Sequence, residues 1–269
     1  MCQVLQVSRS GYYYFQNKPK LRSAVELKML NYIREVQQVA RGSYGTRRIA
    51  KALQQNQWNV GRYQARTLMH KAGIKYVARK KFRKTTDSNH VLVVAENLLN
   101  RQFSATKPNH KWVSDITYLR TNEGWLYLAT VMDLYSRKIV GWAMQSRITA
   151  DLVTEALQLA VQERQPQQGL MHHSDRGVQY ASKDHQALLR KAQITCSMSR
   201  KGNCWDNAVM ESFFKSFKTE WMRNQVYTTR EQARLDVIKY ICLFYNSKRL
   251  HSTLGYLSPN DFERKKNAS

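Results

Sequence analysis

The chain reads as a basic, all-helical segment followed by a mixed α/β domain. Two observations carry this. Apolar residues recur at helical spacing through residues 21–78, with no strand-like alternation. At Lys111 the texture changes, and strands come first and then alternate with helices, which is the order of a mixed sheet with helices packed on it.

The helical part opens on a basic, tyrosine-rich lead-in, residues 1–20, with a Ser-Gly turn before Tyr12, Tyr13 and Tyr14. Those rings are expected to pack on the next helix, with base stacking as the competing role. Residues 21–78 follow. A first helix carries apolar residues at helical spacing, Val25, Leu27, Leu30, Ile33 and Val36, and Gly42 and Gly45 punctuate the stretch. Two short helices, TRRIAKALQQNQ and RYQARTLMHKAG, are joined by WNVG, and Gly73 is placed to end the second. Two short Arg-rich helices about a tight turn suggest a helix-turn-helix, with Arg47, Arg48, Arg62 and Arg66 as DNA contacts. A helical hairpin that merely packs is the competing reading. Residues 79–106 form a basic linker, RKKFRKTTDSNH, and a helix-like stretch, VLVVAENLLNRQF.

Residues 107–225 form the α/β part. WVSDITYLR, GWLYLATVMD and KIVGWAMQ alternate and are separated by short turns, so they predict an antiparallel meander. ADLVTEALQLAVQER is an amphipathic helix. GLMHHSD is a short strand, SKDHQALLRKAQ a helix and TCSMS another strand. The stretch Cys204–Trp221 predicts one helix, capped by Asn203 or Asp206, that buries Met210, Phe214, Phe217 and Trp221. Glu211, Lys215 and Lys218 share a neighbouring face of it. Residues 226–269 hold a last amphipathic helix, REQARLDVIKYICLFYNSKR, and a tail in which Ser258-Pro259 opens a final turn.

Forty-four Lys and Arg against nineteen Asp and Glu leave a net charge of +25. Residues 1–100 hold nineteen basic and four acidic residues, a net of +15, so the excess is densest there. Such a balance points to a polyanionic partner, with nucleic acid favoured over an acidic membrane surface. No apolar run is long enough to span a bilayer, and the N-terminus lacks the form of a secretory signal. The four cysteines are scattered without a CxxC and are expected to be reduced, as in the cytosol.

Two aspartates stand against strand propensity. Asp115 lies mid-strand in VSDITYL, and Asp175 follows the apolar strand GLMHHS and precedes a Gly turn. Buried carboxylates need partners. Lys or Arg would make them structural; a divalent cation would make them catalytic. Glu211 is the third acid. Three converging carboxylates repel one another unless a bound Mg²⁺ supplies the largest local charge. Two such ions roughly 3.5–4 Å apart can activate an attacking oxygen and stabilise a leaving one at a phosphodiester. Other candidates have quieter readings: His172 and His173 as hydrogen-bonded or packed rather than metal ligands, Asp133 as a turn or salt-bridge residue, Asn207 as a cap or carboxylate orienter, and Trp112 and Trp205 as core or rim.

The sequence closely resembles the second-frame product (OrfB) of bacterial insertion-sequence transposases, within the DDE transposase and retroviral-integrase superfamily. SRSGYYYF, YGTRRIAKAL, HKWVSDITYL, HHSDRGVQYAS, GNCWDNAVMESFFKSFKTE and YNSKRLHSTLGYLSPNDF carry the resemblance over nearly the whole chain. Fifty-nine residues separate Asp115 from Asp175 and thirty-five separate Asp175 from Glu211, and the second interval is the family's signature.

The resemblance implies an RNase H-like catalytic core, with Asp115, Asp175 and Glu211 as catalytic residues and metal ligands and Lys218 as a DNA contact. It implies Mg²⁺-dependent cleavage at element ends and 3′-OH strand transfer, the work of two ions, with Mn²⁺ able to substitute. The partners it implies are double-stranded DNA, at element ends and target, a first-frame product or frameshift fusion, and further copies of the chain on DNA. The implied setting is the bacterial cytoplasm, on the nucleoid. Tyr245, Asn246, Arg249 and His251 belong to a family motif whose role the residues do not reveal, helix capping being the simplest.

Overall fold

The computed structural model describes residues 2–17, 23–74, 95–201 and 203–267. The basic linker 79–90 and the start of VLVVAENLLNRQF lie outside the described residues. The chain divides into two compact units, one of residues 1–38 and 45–75, the other of residues 39–44 and 76–269.

In the first unit α1 spans Arg9–Asn17, α2 Ala24–Val39, α3 Thr46–Gln55 and α4 Arg62–Lys71. Leu30 and Ile33 of α2, Ile49 and Leu53 of α3, and Ala65 and Leu68 of α4 are buried and form a core, whereas Val25 and Leu27 of the expected apolar set are exposed. Gly73, just past α4, sits at φ +75°, where a side chain would be strained, and its N–H donates to the His70 carbonyl. The lead-in departs from expectation. Helix α1 buries no residue, and Tyr12 and Tyr13 pack edge to face on each other, exposed.

The second unit is built on a sheet. Strands β1 (Lys111–Thr121), β2 (Gly124–Asp133) and β3 (Ile139–Gln145) form the expected antiparallel meander. Strand β4 (Met171–Ser174) adds parallel to β1, and β5 (Thr195–Met198) parallel to β4, giving the order β3-β2-β1-β4-β5 among the described residues. Helix α5 (Ala150–Arg164) lies across β2 and β3, with α6 (Lys183–Lys191) beside it. Leu152, Val153, Ala156, Leu157 and Ala160 pack with Trp112, Val131 and Val140 into one core. Contact is close at Gly141, where a Cβ would clash with the Ala156 carbonyl oxygen.

A second, aromatic core lies under α7 (Ala208–Glu220). Met210, Phe213, Phe214, Phe217 and Trp221 are buried, and Trp221, Phe217 and Phe213 meet the rings of Tyr240, Phe244 and Tyr245. The expected single helix from Cys204 is in fact a 3₁₀ turn, Cys204–Asn207, followed by α7. Asn203 does cap it, accepting from the Trp205 N–H. Asp206 does not, because Arg200, Arg101 and Asn97 engage its carboxylate. The last amphipathic helix is likewise two pieces. Helix α8 (Arg230–Ile238) gives way to a π-helical run, Lys239–Tyr245, whose wider turn brings Tyr240, Ile241, Phe244 and Tyr245 all inward. The final turn is longer than expected: Ser258 caps α9 (Pro259–Asn267), and Pro259 takes its favoured first position. The described part of VLVVAENLLNRQF is not helical: Ser197 Oγ of β5 accepts the Leu98 and Leu99 N–H groups, and the chain then turns at Asn100 and Arg101.

Candidate active site

Asp115 and Asp175 are brought near each other by the pairing of β1 with β4. Parallel β1 and β4 pair Trp112 with His172 and Val113 with His173, so Asp115 on β1 and Asp175, just past the end of β4, lie at the same end of the two strands and within electrostatic reach. Strand β4 ends at Ser174, which releases Asp175 into a turn where its Oδ1 accepts the Gly177 N–H at 2.9 Å. The fit is tight at Gly177, where a Cβ would stand 3.1 Å from that oxygen and 3.0 Å from Gln179 Oε1. Asp115 Oδ1 accepts the Ile116 N–H at 2.8 Å.

Glu211 lies in the first turn of α7, where an acid suits the positive end of the helix dipole. Asn207 fastens that end of the helix to β1: it makes no cap, and its Nδ2 donates to the Ser114 carbonyl at 3.0 Å, one residue from Asp115. Sequence reasoning had the residue but not this contact, because the partner lies 93 positions away.

The electrostatics tie the groups together. Burial and then the Asp175 charge push the Asp115 carboxyl well above the usual carboxylate range; Glu211 adds to the rise and Lys218 opposes it. Burial lowers the Lys218 ammonium, while Tyr118 and Asp115 pull it back up. Its Nζ lies 4.7 Å from the centre of the Tyr118 ring. Lys215 is exposed on α7. The three acids stand within electrostatic reach, yet among the described residues no three His, Cys, Asp or Glu side chains form a ready-made metal cluster. The donor set nonetheless fits a hard cation: carboxylate oxygens whose mutual repulsion a divalent ion would relieve.

The neighbouring histidines are structural. His172 Nε2 meets Ser114 Oγ at 2.6 Å, and His173 Nδ1 meets Ser197 Oγ at 2.8 Å, both fully buried. Burial holds both imidazoles below their ordinary range, His173 at about 4. Asp133 is buried and ion-paired to Arg164, as expected. Trp112 is core and Trp205 is 68 % exposed. In the first unit, Arg47, Arg62 and Arg66 are exposed and Arg48 is half-buried.

A short parallel strand laid beside the first strand of a meander, with carboxylates at the junction, is the architecture of RNase H-like integrase cores. Comparison with known proteins agrees. An integrase core domain model matches residues 105–204, a second model of that description matches 192–259, and an HTH-like domain model matches 24–82. The chain is 44 % identical to an uncharacterized 31 kDa protein of insertion element IS600 from Shigella sonnei, covering 98 % of each. It is 40 % identical to the transposase InsF of insertion sequence IS3A from Escherichia coli, over 98 % of this chain and 93 % of that one. In fold it is similar to a chain of the simian T-cell lymphotropic virus intasome, with TM-score 0.50 and 14 % identity over 81 % of this chain and 70 % of that one. The chain therefore belongs to the insertion-sequence transposases of the DDE superfamily, and is a polynucleotidyl transferase of DNA transposition and integration. No helix of the described residues is long and apolar enough to cross a membrane.

Proposed function

We propose that the chain cuts one phosphodiester at each end of its insertion element and transfers the freed 3′-OH to a phosphodiester of target DNA. In the first step water's oxygen bonds to phosphorus and the P–O3′ bond breaks, leaving a 3′-OH. In the second that 3′ oxygen attacks another phosphorus and displaces its 3′ oxygen. The bonds made and broken balance, so neither a covalent enzyme–DNA bond nor ATP is required.

The observation that supports this reading is that Asp115 lies within electrostatic reach of both Asp175 and Glu211, at the end of the paired strands β1 and β4. Asp115, Asp175 and Glu211 would hold Mg²⁺, or Mn²⁺ in its place, as two ions. Bound there, the metal supplies Lewis-acid stabilisation of attacking and leaving oxygens. Lys218, at the mouth of the site, draws the phosphate backbone towards the carboxylates, and Lys215 extends that basic edge along α7.

Arg62 and Arg66 on α4, with Arg47 and Arg48 on α3, contact DNA from a helix-turn-helix. The working divisions are residues 1–20, 21–78, 79–106, 107–225 and 226–269. Synapsis of two element ends calls for at least two copies on DNA, joined by a first-frame product or frameshift fusion, in the bacterial cytoplasm at the nucleoid.

The test is a gel assay on labelled duplex carrying the element's terminal repeats, with Mg²⁺ or EDTA and with the first-frame portion present or absent. Joined products are expected from the wild type only with Mg²⁺, and none from Asp175→Asn or Glu211→Gln, which still bind the duplex. Strand transfer surviving in either variant overturns the ligand assignment.

A further inference from the structure

Asp115 is fixed by its sheet. Strand β1 pairs with β2 from Trp112 to Thr121, and Asp115 stands opposite Thr130. Asp175 and Glu211 have no such frame. The pairing of β1 with β4 ends at Val113 and His173, two residues short of both aspartates. Glu211 sits on α7, outside the sheet.

Ser114, the first residue of β1 beyond that pairing, ties both of the other acids to Asp115. Its Oγ meets His172 Nε2 at 2.6 Å, and His172 lies on the strand that delivers Asp175. Its carbonyl accepts Asn207 Nδ2 at 3.0 Å, one helical turn before Glu211. Ser114, His172 and Asn207 are all buried, where such bonds are strong and no solvent replaces them. The His172 ring packs against the rings of His185 and Tyr180, with centroids 5.5 and 6.4 Å away, which keeps it turned towards Ser114. Successive side chains of a strand point to opposite faces, so the Ser114 hydroxyl lies across the sheet from the Asp115 carboxylate. Ser114 and His172 therefore act on the acids through the backbone.

We propose that Ser114 is the hub of a positioning network, with His172 and Asn207 as its two arms, that sets where Asp175 and Glu211 stand relative to Asp115 and so how well the three acids hold Mg²⁺. Mg²⁺ demands near-ideal octahedral geometry, which makes its binding sensitive to small displacements of its ligands. The proposal rests on the ligand assignment made above.

Two measurements on the full chain test it. The first is hydrogen–deuterium exchange by mass spectrometry in EDTA. Ser114→Ala and His172→Phe should each speed exchange of residues 171–178 by about tenfold and leave residues 207–213 at the wild-type rate. Asn207→Leu should do the reverse. The second is a Mg²⁺ titration of strand transfer with the first-frame portion present. The half-saturating Mg²⁺ concentration should rise roughly 10- to 100-fold in each variant. The double variant Ser114→Ala with His172→Phe should match either single one, because both remove the same bond. Ser114→Thr, which keeps the hydroxyl, should stay near wild type. Circular dichroism checks that each variant folds, and the two arms give independent variants. Exchange that rises uniformly or not at all overturns the network, as does an unchanged Mg²⁺ requirement in Ser114→Ala and Asn207→Leu. The ligand assignment fails differently, through joining that survives Asp175→Asn whatever Ser114 does.

Discussion

Arg249 grips Glu220 with two parallel hydrogen bonds, Nε to Oε2 at 2.7 Å and Nη2 to Oε1 at 2.9 Å, and both side chains are buried. The pair ties the last residue of α7 to the chain just beyond the π-helical run. Arg249→Met should cost about 3–5 kcal/mol, because it strands a buried carboxylate. The double variant Glu220→Gln with Arg249→Met should be less damaged than the single one, since no charge is left unpaired. Urea unfolding of the three proteins decides it, and equal loss in single and double variants would reject the pair as the cause.

Gly141 is the point where β3 and α5 touch. A methyl group there would press on the Ala156 carbonyl and on Ala160. Gly141→Ala should lower stability by about 3 kcal/mol, the cost of overpacking a contact that backbone cannot relieve. A melting temperature unchanged from wild type would mean that the helix can move away freely.

His185 is buried with neither ring nitrogen hydrogen-bonded, and burial holds its imidazole at about 4. The folded value lies below the unfolded one, near 6.5, so the unfolded chain binds the extra proton. The stability this neutral ring permits is therefore present above about pH 6.5 and is lost as pH falls towards 4, by roughly 3 kcal/mol. Replacing the ring, as in His185→Phe, should flatten the acid limb of stability against pH between those values. The same slope in both proteins would exonerate the histidine.

Without a cation the Asp115 and Asp175 charges oppose folding. Asp115→Asn should raise the melting temperature of the metal-free protein. Mg²⁺ should raise it for wild type by binding the folded state, and should do so much less for Asp115→Asn. Differential scanning fluorimetry with and without EDTA reads both effects. A wild type indifferent to Mg²⁺ in the absence of DNA would place metal capture after DNA binding.

The meander, the alternating strands and helices that follow it and the two short Arg-rich helices were legible because each follows its own local period. The departures arise where a distant partner intervenes. Ser197 captures two N–H groups of residues 98 and 99, and the helix expected there does not form. Arg200 and Arg101 claim Asp206, so it cannot cap. Aromatic packing on α7 accompanies the wider turn at Lys239–Tyr245, which no periodicity announces. The motif around Tyr245 is the clearest case. Asn246 donates to and accepts from the Ile139 backbone at the start of edge strand β3, and Arg249 holds Glu220, so the segment clasps the sheet and α7 together.

By itself the sequence determined the candidate acidic residues, their spacing and the basic charge excess, because these are properties of the chain read in one dimension. Only the tertiary structure decided that Asp115 and Asp175 come within electrostatic reach, that Asn207 holds α7 against β1, and that Tyr118 and Trp125 wall a cleft with Lys218. The reason is physical. Strand register and helix docking are set by which surfaces bury together, and those surfaces come from positions far apart along the chain.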